Sequence, residues 1–396
     1  MLQKNVIELL DQLIAFDTTS HRSNLPMIDF IESWLARHDV SSHRVMDTSK
    51  EKANLYATIG PDDRRGVMLS GHTDTVPVTG QTWQTPPFKL TRDGARLHGR
   101  GTADMKGFLA CVLAAVPEMV AAELVVPVHL AFSHDEEVGC LGVRTLIADM
   151  ANYPCPPAAC IVGEPTSMRL ATTHKGKLAI RLNIEGKACH SGMAPEGVNA
   201  IHVAAQLIGH VARTANEKSL NGPFDNRYTI PHTTLQVGMI QGGAALNIVP
   251  QHCQLDIEIR TVPSEDPETL LDGILSLAAS LEGEMQALYP GSAIRMERLG
   301  AYPGLSMKDD DDLVGILLTL LDDQKLERIG YGTEAGLFQQ ALGIPSLVCG
   351  PGNMAQGHQP DEYITQEQLN KCSAFLRRLI TQLQDPIVAK QLTAER

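Results

Sequence analysis

Five short polar segments carry the residues that could do chemistry, and four of them follow an apolar run. Ser70-Gly71-His72-Thr73-Asp74 follows residues 67–69, Ser133-His134-Asp135-Glu136-Glu137 follows 126–132, and Gly163-Glu164-Pro165 follows 158–162. Gly357-His358-Gln359-Pro360-Asp361-Glu362 comes shortly after 346–349, and Gly101-Thr102-Ala103-Asp104-Met105-Lys106 opens a helical stretch. Singly, each has an ordinary reading as a surface turn, a helix cap or a solvated carboxylate. Together they would converge several carboxylates on one sheet edge, which is costly unless positive charge offsets it. No Lys/Arg cluster lies near them in sequence, so a metal is the cheaper explanation. Two histidines with carboxylates and no cysteine suit a borderline divalent ion such as zinc, held open for catalysis. The donors exceed one tetrahedral ion, which implies two ions sharing a bridging carboxylate and activating a water. A free glutamate beside a ligand could then shuttle the proton.

The elements that must position these residues are legible from periodicity. Residues 6–16, 27–37 and 106–120 have helical spacing, and 54–59 alternates like a strand. The short, nearly all-apolar runs at 67–69, 126–132, 158–162 and 346–349 read as buried strands. Such runs with helices between them predict an α/β fold, a mostly parallel sheet with helices on both faces. Such sheets bind ligands at the carboxyl ends of their strands, where the polar segments fall. The middle of the chain differs. Residues 178–185, 233–238 and 253–260 alternate apolar with polar, and 198–215 and 268–281 are helical. This predicts an inserted α+β unit over 178–286, with a first catalytic part over 1–177 and a second over 287–396. The run Asp309–Asp312 is expected to cap a helix starting near Leu313.

Composition excludes several classes. The 396 residues are 43% hydrophobic and 20% charged with a formal net charge of −13, and the mean hydropathy is −0.08. That is a globular balance, and its acidity speaks against nucleic acid or an anionic membrane as partner. No apolar stretch is long enough to span a bilayer. The N-terminus shows no signal-peptide pattern and the eight cysteines form no Cys-x-x-Cys pair, so the cytoplasm is the expected location.

Gly71-His72-Thr73-Asp74-Thr75-Val76-Pro77, Gly99-Arg100-Gly101-Thr102-Ala103-Asp104-Met105-Lys106-Gly107, Asp135-Glu136-Glu137-Val138-Gly139 and Gly163-Glu164-Pro165-Thr166 resemble, in order and spacing, the motifs of the co-catalytic zinc aminoacylase and carboxypeptidase G-type family. The resemblance spans essentially the whole chain. It implies two divalent ions, zinc foremost with cobalt or manganese compatible. Asp104 would bridge them, His72 and Glu164 would complete one site, and Glu137 and His358 the other. It further implies Glu136 as general base and Asp74 as the residue orienting His72. The inserted unit, ferredoxin-like in this family, would form a homodimer. Its Gly186-Lys187-Ala188-Cys189-His190-Ser191 segment matches the one whose histidine, here His190, reaches a partner's active site to stabilise an oxyanion.

For the substrate, a small N-acyl amino acid, Arg260 and Asn247 could receive the carboxylate. Asp135–Gly142, Gly330-Tyr331-Gly332-Thr333-Glu334-Ala335 and Gly357–Tyr363 look most like the branch that deacetylates N2-acetyl-L-ornithine in arginine biosynthesis. Thr333 and Glu334 matter most there, since a buried carboxylate would suit a side-chain amine, although Glu334 could instead cap the following helix. Relatives acting on N-succinyl-diaminopimelate or on N-acyl amino acids in general share much of the pattern.

Three rival readings are weaker. Cys189 and His190 adjoin, but neighbours on a strand point to opposite faces and so form no dyad. Gly99-Arg100-Gly101 begins like a dinucleotide fingerprint, but Asp104 stands at the third glycine position. A non-catalytic binding protein would have no need of the complete set of ligands and base.

Overall fold

The computed structural model describes residues 2–153 and 155–393. The chain divides into two compact units, one running to His174 and resuming at Leu305, the other spanning Lys175–Gly304. Among the described residues, no helix is long and apolar enough to cross a membrane.

The first unit is built on a nine-stranded sheet. Its path runs Ser42–Met46, Ala53–Ile59, Val128–Ser133, Val67–His72, Ala159–Pro165, Ser346–Gly350, Leu170–His174 and Leu305–Ser306, with Leu326–Ile329 also pairing Leu170–His174. The four strands from Val128–Ser133 to Ser346–Gly350 are mutually parallel, and antiparallel strands flank them. Every residue of those four strands is buried, which is why their sequences are mostly apolar rather than alternating. Between the first two polar segments and the third lies the helix Gly107–Ala121, buried at every position from Gly107 to Val116. It packs on the helices Leu2–Ala15, Leu25–Ala36 and Gln366–Gln382 and on the strands beneath. Because the central strands are parallel, their carboxyl ends share one edge, and the chemistry-bearing segments leave from that edge.

The second unit is a four-stranded antiparallel sheet, Thr234–Gly242, His252–Thr261, Gly176–Glu185 and Ala293–Tyr302 in spatial order. The helices Ala200–Asn221 and Pro267–Leu288 pack on it. Alternate residues of Gly176–Glu185 and His252–Thr261 enter a separate core with Leu207, Ile274 and Leu281. This unit is longer than the span 178–286 read from sequence. The boundary moves because the strand Ala293–Tyr302 belongs to it. That strand escapes a period-two reading since a bulge at Arg298/Gly300 breaks its alternation and most of its residues are solvent-accessible. The chain then returns to the first sheet, where Leu305 pairs with His174.

The acidic run behaves as its charge requires: Asp311 caps the helix Asp312–Thr319 by accepting from the Leu313 amide at 2.9 Å. The Cys189–His190 step is different from expectation. Cys189 lies in a loop rather than a strand, and its thiol donates to the Met193 carbonyl at 3.3 Å, so the pair still forms no dyad.

Two glycines test the packing with opposite signs. A Cβ on Gly163 would stand 2.1 Å from the ring of Phe108, which is fully buried. Gly163→Ala should therefore lower stability by about 1–3 kcal/mol through overpacking. Gly315 sits exposed within Asp312–Thr319 with nothing within 4 Å of its added Cβ. Gly315→Ala should raise stability by roughly 0.5–1 kcal/mol. Urea denaturation of both variants checks the pair; equal and small shifts would contradict this account of the core.

Candidate metal centre

His72, at the end of Val67–His72, is 1% exposed. Its Nδ1 donates to the Asp74 carbonyl oxygen at 2.9 Å, which fixes the ring and leaves Nε2 facing carboxylates. That Nε2 lies 3.0 Å from Asp104 Oδ1 and 3.6 Å from Glu164 Oε1. Asp104's other oxygen, Oδ2, lies 3.2 Å from His358 Nε2, which is also 3.0 Å from Glu137 Oε2. Asp104 thus offers one oxygen to each histidine. Donor atoms of His72, Asp104 and Glu137 lie within 4.8 Å of one another, as do those of His72, Glu136 and Glu164.

The local sequence explains how these side chains are held. Asp104 sits in the wide turn Thr102–Lys106, whose peptide with Met105 is cis. Glu362 cradles this turn: its carboxylate accepts from the Gly101, Ala103 and Asp104 amides at 3.1, 2.9 and 3.1 Å and pairs with Arg100 at 2.7 Å. Lys106, fully buried, donates to the Leu13 and Phe16 carbonyls and pins the same turn to the end of the first helix. Asp74 does more than the sequence indicated. Its carboxylate is 3.6 Å from His72 Nδ1, but it also accepts from the Ser20 hydroxyl and from the Glu136 and Glu137 amides at 2.7, 3.1 and 3.3 Å. One side chain therefore ties the His72 segment to the Glu136–Glu137 loop. Asp135, Cys140, His358 and Asp361 all adopt left-handed backbone around this cluster, a concentration of strained residues typical of functional sites.

The electrostatics follow from crowding. Burial, reinforced by neighbouring carboxylates, pushes the Glu136 carboxyl up to about 8 and Glu137 to about 7, and holds Glu164 well above the usual range. For Asp104 burial acts in the same direction, yet hydrogen bonds from His358 and His72 win and hold it below the ordinary carboxylate value. His358 rises to about 10 through its contacts with Asp104 and Glu137. Nearby cations are committed elsewhere, Arg100 to Glu362 and Lys52 to Asp135. Imidazole and carboxylate donors, buried apart from the half-exposed His358 and with Glu137 and Glu164 driven toward the neutral acid, fit divalent cations, whose charge would let those acids ionise.

The remaining expected residues separate into two groups. Glu334 belongs to the first unit and is 1% exposed; its Oε1 accepts from the Ser133 hydroxyl at 2.5 Å while Oε2 has no hydrogen-bond partner. It makes no capping hydrogen bond to the helix Ala335–Leu342; the Thr333 hydroxyl takes that place, accepting from the Ala335 amide at 3.0 Å. His190, Asn247 and Arg260 belong to the second unit. His190 is exposed and its Nδ1 accepts from the Gly192 amide, while the Asn247 carbonyl accepts from Ser191, so those two segments lie side by side. Arg260 is engaged by Glu258 at 2.7 Å and by the Tyr302 hydroxyl at 2.7 Å. Sequence reading assigned no role to Glu362, Lys106 or Ser20; the Glu-after-Asp step closing the Gly357 segment was the one available signal.

Fold and cluster together define a metal-dependent hydrolase of the α/β type, with its ligands on loops at the carboxyl edge of a parallel sheet. The chain belongs to peptidase family M20/M25/M40, which it matches over residues 68–382. It is 35% identical over 383 residues to the acetylornithine deacetylase of Photorhabdus laumondii, covering 94% of this chain and 96% of that protein. To the acetylornithine deacetylase of Pasteurella multocida it is 33% identical over 387 residues, covering 95% and 97%. Among solved structures, the M20 family metallo-carboxypeptidase Sso-CP2 of Sulfolobus solfataricus superposes with a TM-score of 0.76 at 17% identity, covering 96% and 99%. A dinuclear metal binding peptidase of the M20 family from Bacillus subtilis superposes with a TM-score of 0.67 at 17% identity, covering 98% and 99%. At such identities the solved structures establish the fold.

The Glu362 cradle can be tested directly. Glu362→Gln leaves the buried Arg100 charge uncompensated and should cost about 3–5 kcal/mol of stability. Urea denaturation measures it, and a cost under about 1 kcal/mol would contradict a buried pair of the kind described.

Proposed function

We propose that this chain removes the acetyl group from N2-acetyl-L-ornithine, giving L-ornithine and acetate, and so serves arginine biosynthesis in the cytoplasm. The substrate assignment is supported by relatives named acetylornithine deacetylase that align over nearly the whole chain. The catalytic assignment is carried by one observation: Asp104 presents separate oxygens to His72 and His358 at 3.0 and 3.2 Å, as a carboxylate shared by two ions must. In this reading His72 and Glu164 complete one site and Glu137 and His358 the other, for two divalent ions. The mixed imidazole and carboxylate donors suit zinc, with cobalt or manganese compatible.

Bound there, the ions would make water acidic near neutral pH and offset charge developing on the amide carbonyl oxygen. Glu136, placed beside His72 and Glu164, takes the proton of the attacking water and returns it to the amine nitrogen as the carbon–nitrogen bond breaks. Asp74 keeps the His72 ring and the Glu136–Glu137 backbone in fixed relation. The chain acts as a homodimer in which His190 of one copy donates to the carbonyl oxygen in the other's site. Arg260 and Asn247 hold the α-carboxylate. Glu334, with its unpaired oxygen, attracts the side-chain ammonium, and Thr333 fixes the turn that carries it.

Initial rates on N-acetyl-L-ornithine, N-acetyl-L-methionine and N-succinyl-LL-diaminopimelate, with metal-free protein and after adding zinc, test the assignment. Zinc-dependent turnover favouring acetylornithine is the expected result; preference for either other substrate would overturn the substrate while keeping the chemistry. Glu136→Gln should bind two metal equivalents and lose about 10²- to 10⁴-fold in kcat. Retention of normal turnover would remove Glu136 from the reaction. Glu334→Gln should raise KM for acetylornithine roughly tenfold or more, as loss of a charged hydrogen bond implies, and leave N-acetyl-L-methionine unaffected. An equal effect on both substrates would make Glu334 structural.

A further inference from the structure

Cys140 is fully buried three residues after the last ligand of the Asp135–Glu137 loop, and the reaction described above gives it no task. Its thiol lies 3.2 Å from Glu136 Oε1. The backbone makes this contact deliberate in geometry. The amides of Gly139 and Cys140 both donate to the Glu136 carbonyl at 2.9 and 2.8 Å, and the Leu141 amide donates to the Asp135 carbonyl at 2.9 Å. The loop therefore closes on itself, and Cys140 takes a left-handed φ of 54°, which turns its side chain back toward the residue that begins the turn. A residue with a Cβ is disfavoured there, and glycine would be the default. Burial, with Glu136 and Glu334 close by, holds the thiol well above its ordinary pKa, so it keeps the proton that it can donate to an ionised carboxylate.

We propose that Cys140 is a positioning residue for Glu136, donating its S–H to Oε1 so that the carboxylate is held in one rotamer with its remaining lone pairs directed to proton transfer. The proposal rests on Glu136 being the base. A glutamate on a loop has several staggered rotamers open to it unless a partner selects one, and a general base must meet the reacting proton within hydrogen-bond reach. A neutral donor suits this purpose better than a cation. It orients the carboxylate without the strong drop in basicity that an ion pair imposes, and a thiol is the weakest such donor a protein has. Cys140 touches neither substrate nor metal in this account, so its effect belongs in kcat rather than in KM or metal affinity.

The test uses Cys140→Ala, Cys140→Gly and Cys140→Ser in the full-length protein, beside Glu136→Gln. Cys140→Gly removes the thiol while favouring the left-handed backbone, so it stands in where Cys140→Ala fails to fold. The expected result is a fall in kcat of about tenfold or more for both donor-less variants, as displaced catalytic groups produce, with KM and bound metal unchanged. Cys140→Ser, with a hydroxyl donor, should recover most of the loss. Infrared difference spectra of the zinc-loaded protein, whose bound charge keeps the acids ionised, give an activity-independent readout. The S–H stretching band lost in Cys140→Ser should shift in Glu136→Gln. Unchanged kcat in Cys140→Gly, no recovery in Cys140→Ser, or an S–H band indifferent to Glu136→Gln would each overturn the proposal. Full turnover by Glu136→Gln would instead overturn the base assignment itself, which separates the two failures.

Discussion

Everything at the carboxyl edge of the large sheet depends on one constraint: more carboxylate is gathered there than the surrounding cations can offset. An ionised carboxylate deprived of water is held in place only by opposite charge or by hydrogen bonds, and otherwise it takes up a proton. Both outcomes are present. Asp104, between His72 and His358, keeps its charge, while burial drives Glu136, Glu137 and Glu164 toward the neutral acid. The chain alone leaves this imbalance standing. It is an arrangement whose natural completion is a pair of cations, and the cost of gathering the acids is met when those cations bind.

Keeping the acids together without the cations falls to the scaffold. Four fully buried parallel strands and a helix buried along most of its length give the edge a rigid base. Over that base the loops are cross-linked by polar groups acting on backbone. Glu362 gathers three amides of the Asp104 turn, Asp74 gathers two of the Glu136 loop, and the Ser133 carbonyl accepts from both the Thr73 amide and hydroxyl. All five residues assigned to the metals lie in the first unit, so its fold suffices to assemble them.

What could be read from sequence was whatever has a local signature. The continuous apolar runs announced buried parallel strands, and the alternation at 178–185 and 253–260 announced a sheet wet on one face. Histidine and carboxylate at the ends of those runs announced the residues that the fold gathers at one edge. Leu170–His174 gave no such sign, because Thr172, Thr173 and His174 are polar residues buried in a strand, their burial decided by distant neighbours. Ala293–Tyr302 was hidden by its bulge and exposure. The Glu362 cradle joins residues about 260 positions apart, and no pattern along one chain records such a contact. Glu334 shows the intermediate case. Its type and its neighbourhood were legible, but that Thr333 relieves it of capping, leaving one oxygen free, is a fact of three dimensions.

The Asp135-Glu136-Glu137 run shows how one loop divides similar acids among different tasks. Asp135 is paired with Lys52 at 2.5 Å and is thereby neutralised as a structural tie. Glu137 faces His358 at 3.0 Å and joins the shared cluster. Glu136, between them, lies beside His72 and Glu164 and takes a thiol at 3.2 Å as its hydrogen-bond donor. Burial pushes the Glu136 and Glu137 carboxyls up alike, so it is the hydrogen-bonding partner that sets them apart. Environments that push like groups apart are what separate ligand from base on a common fold. Here the separation is achieved by three neighbours of different kinds, a cation, a neutral donor and an imidazole, set around consecutive residues whose side chains would otherwise be interchangeable.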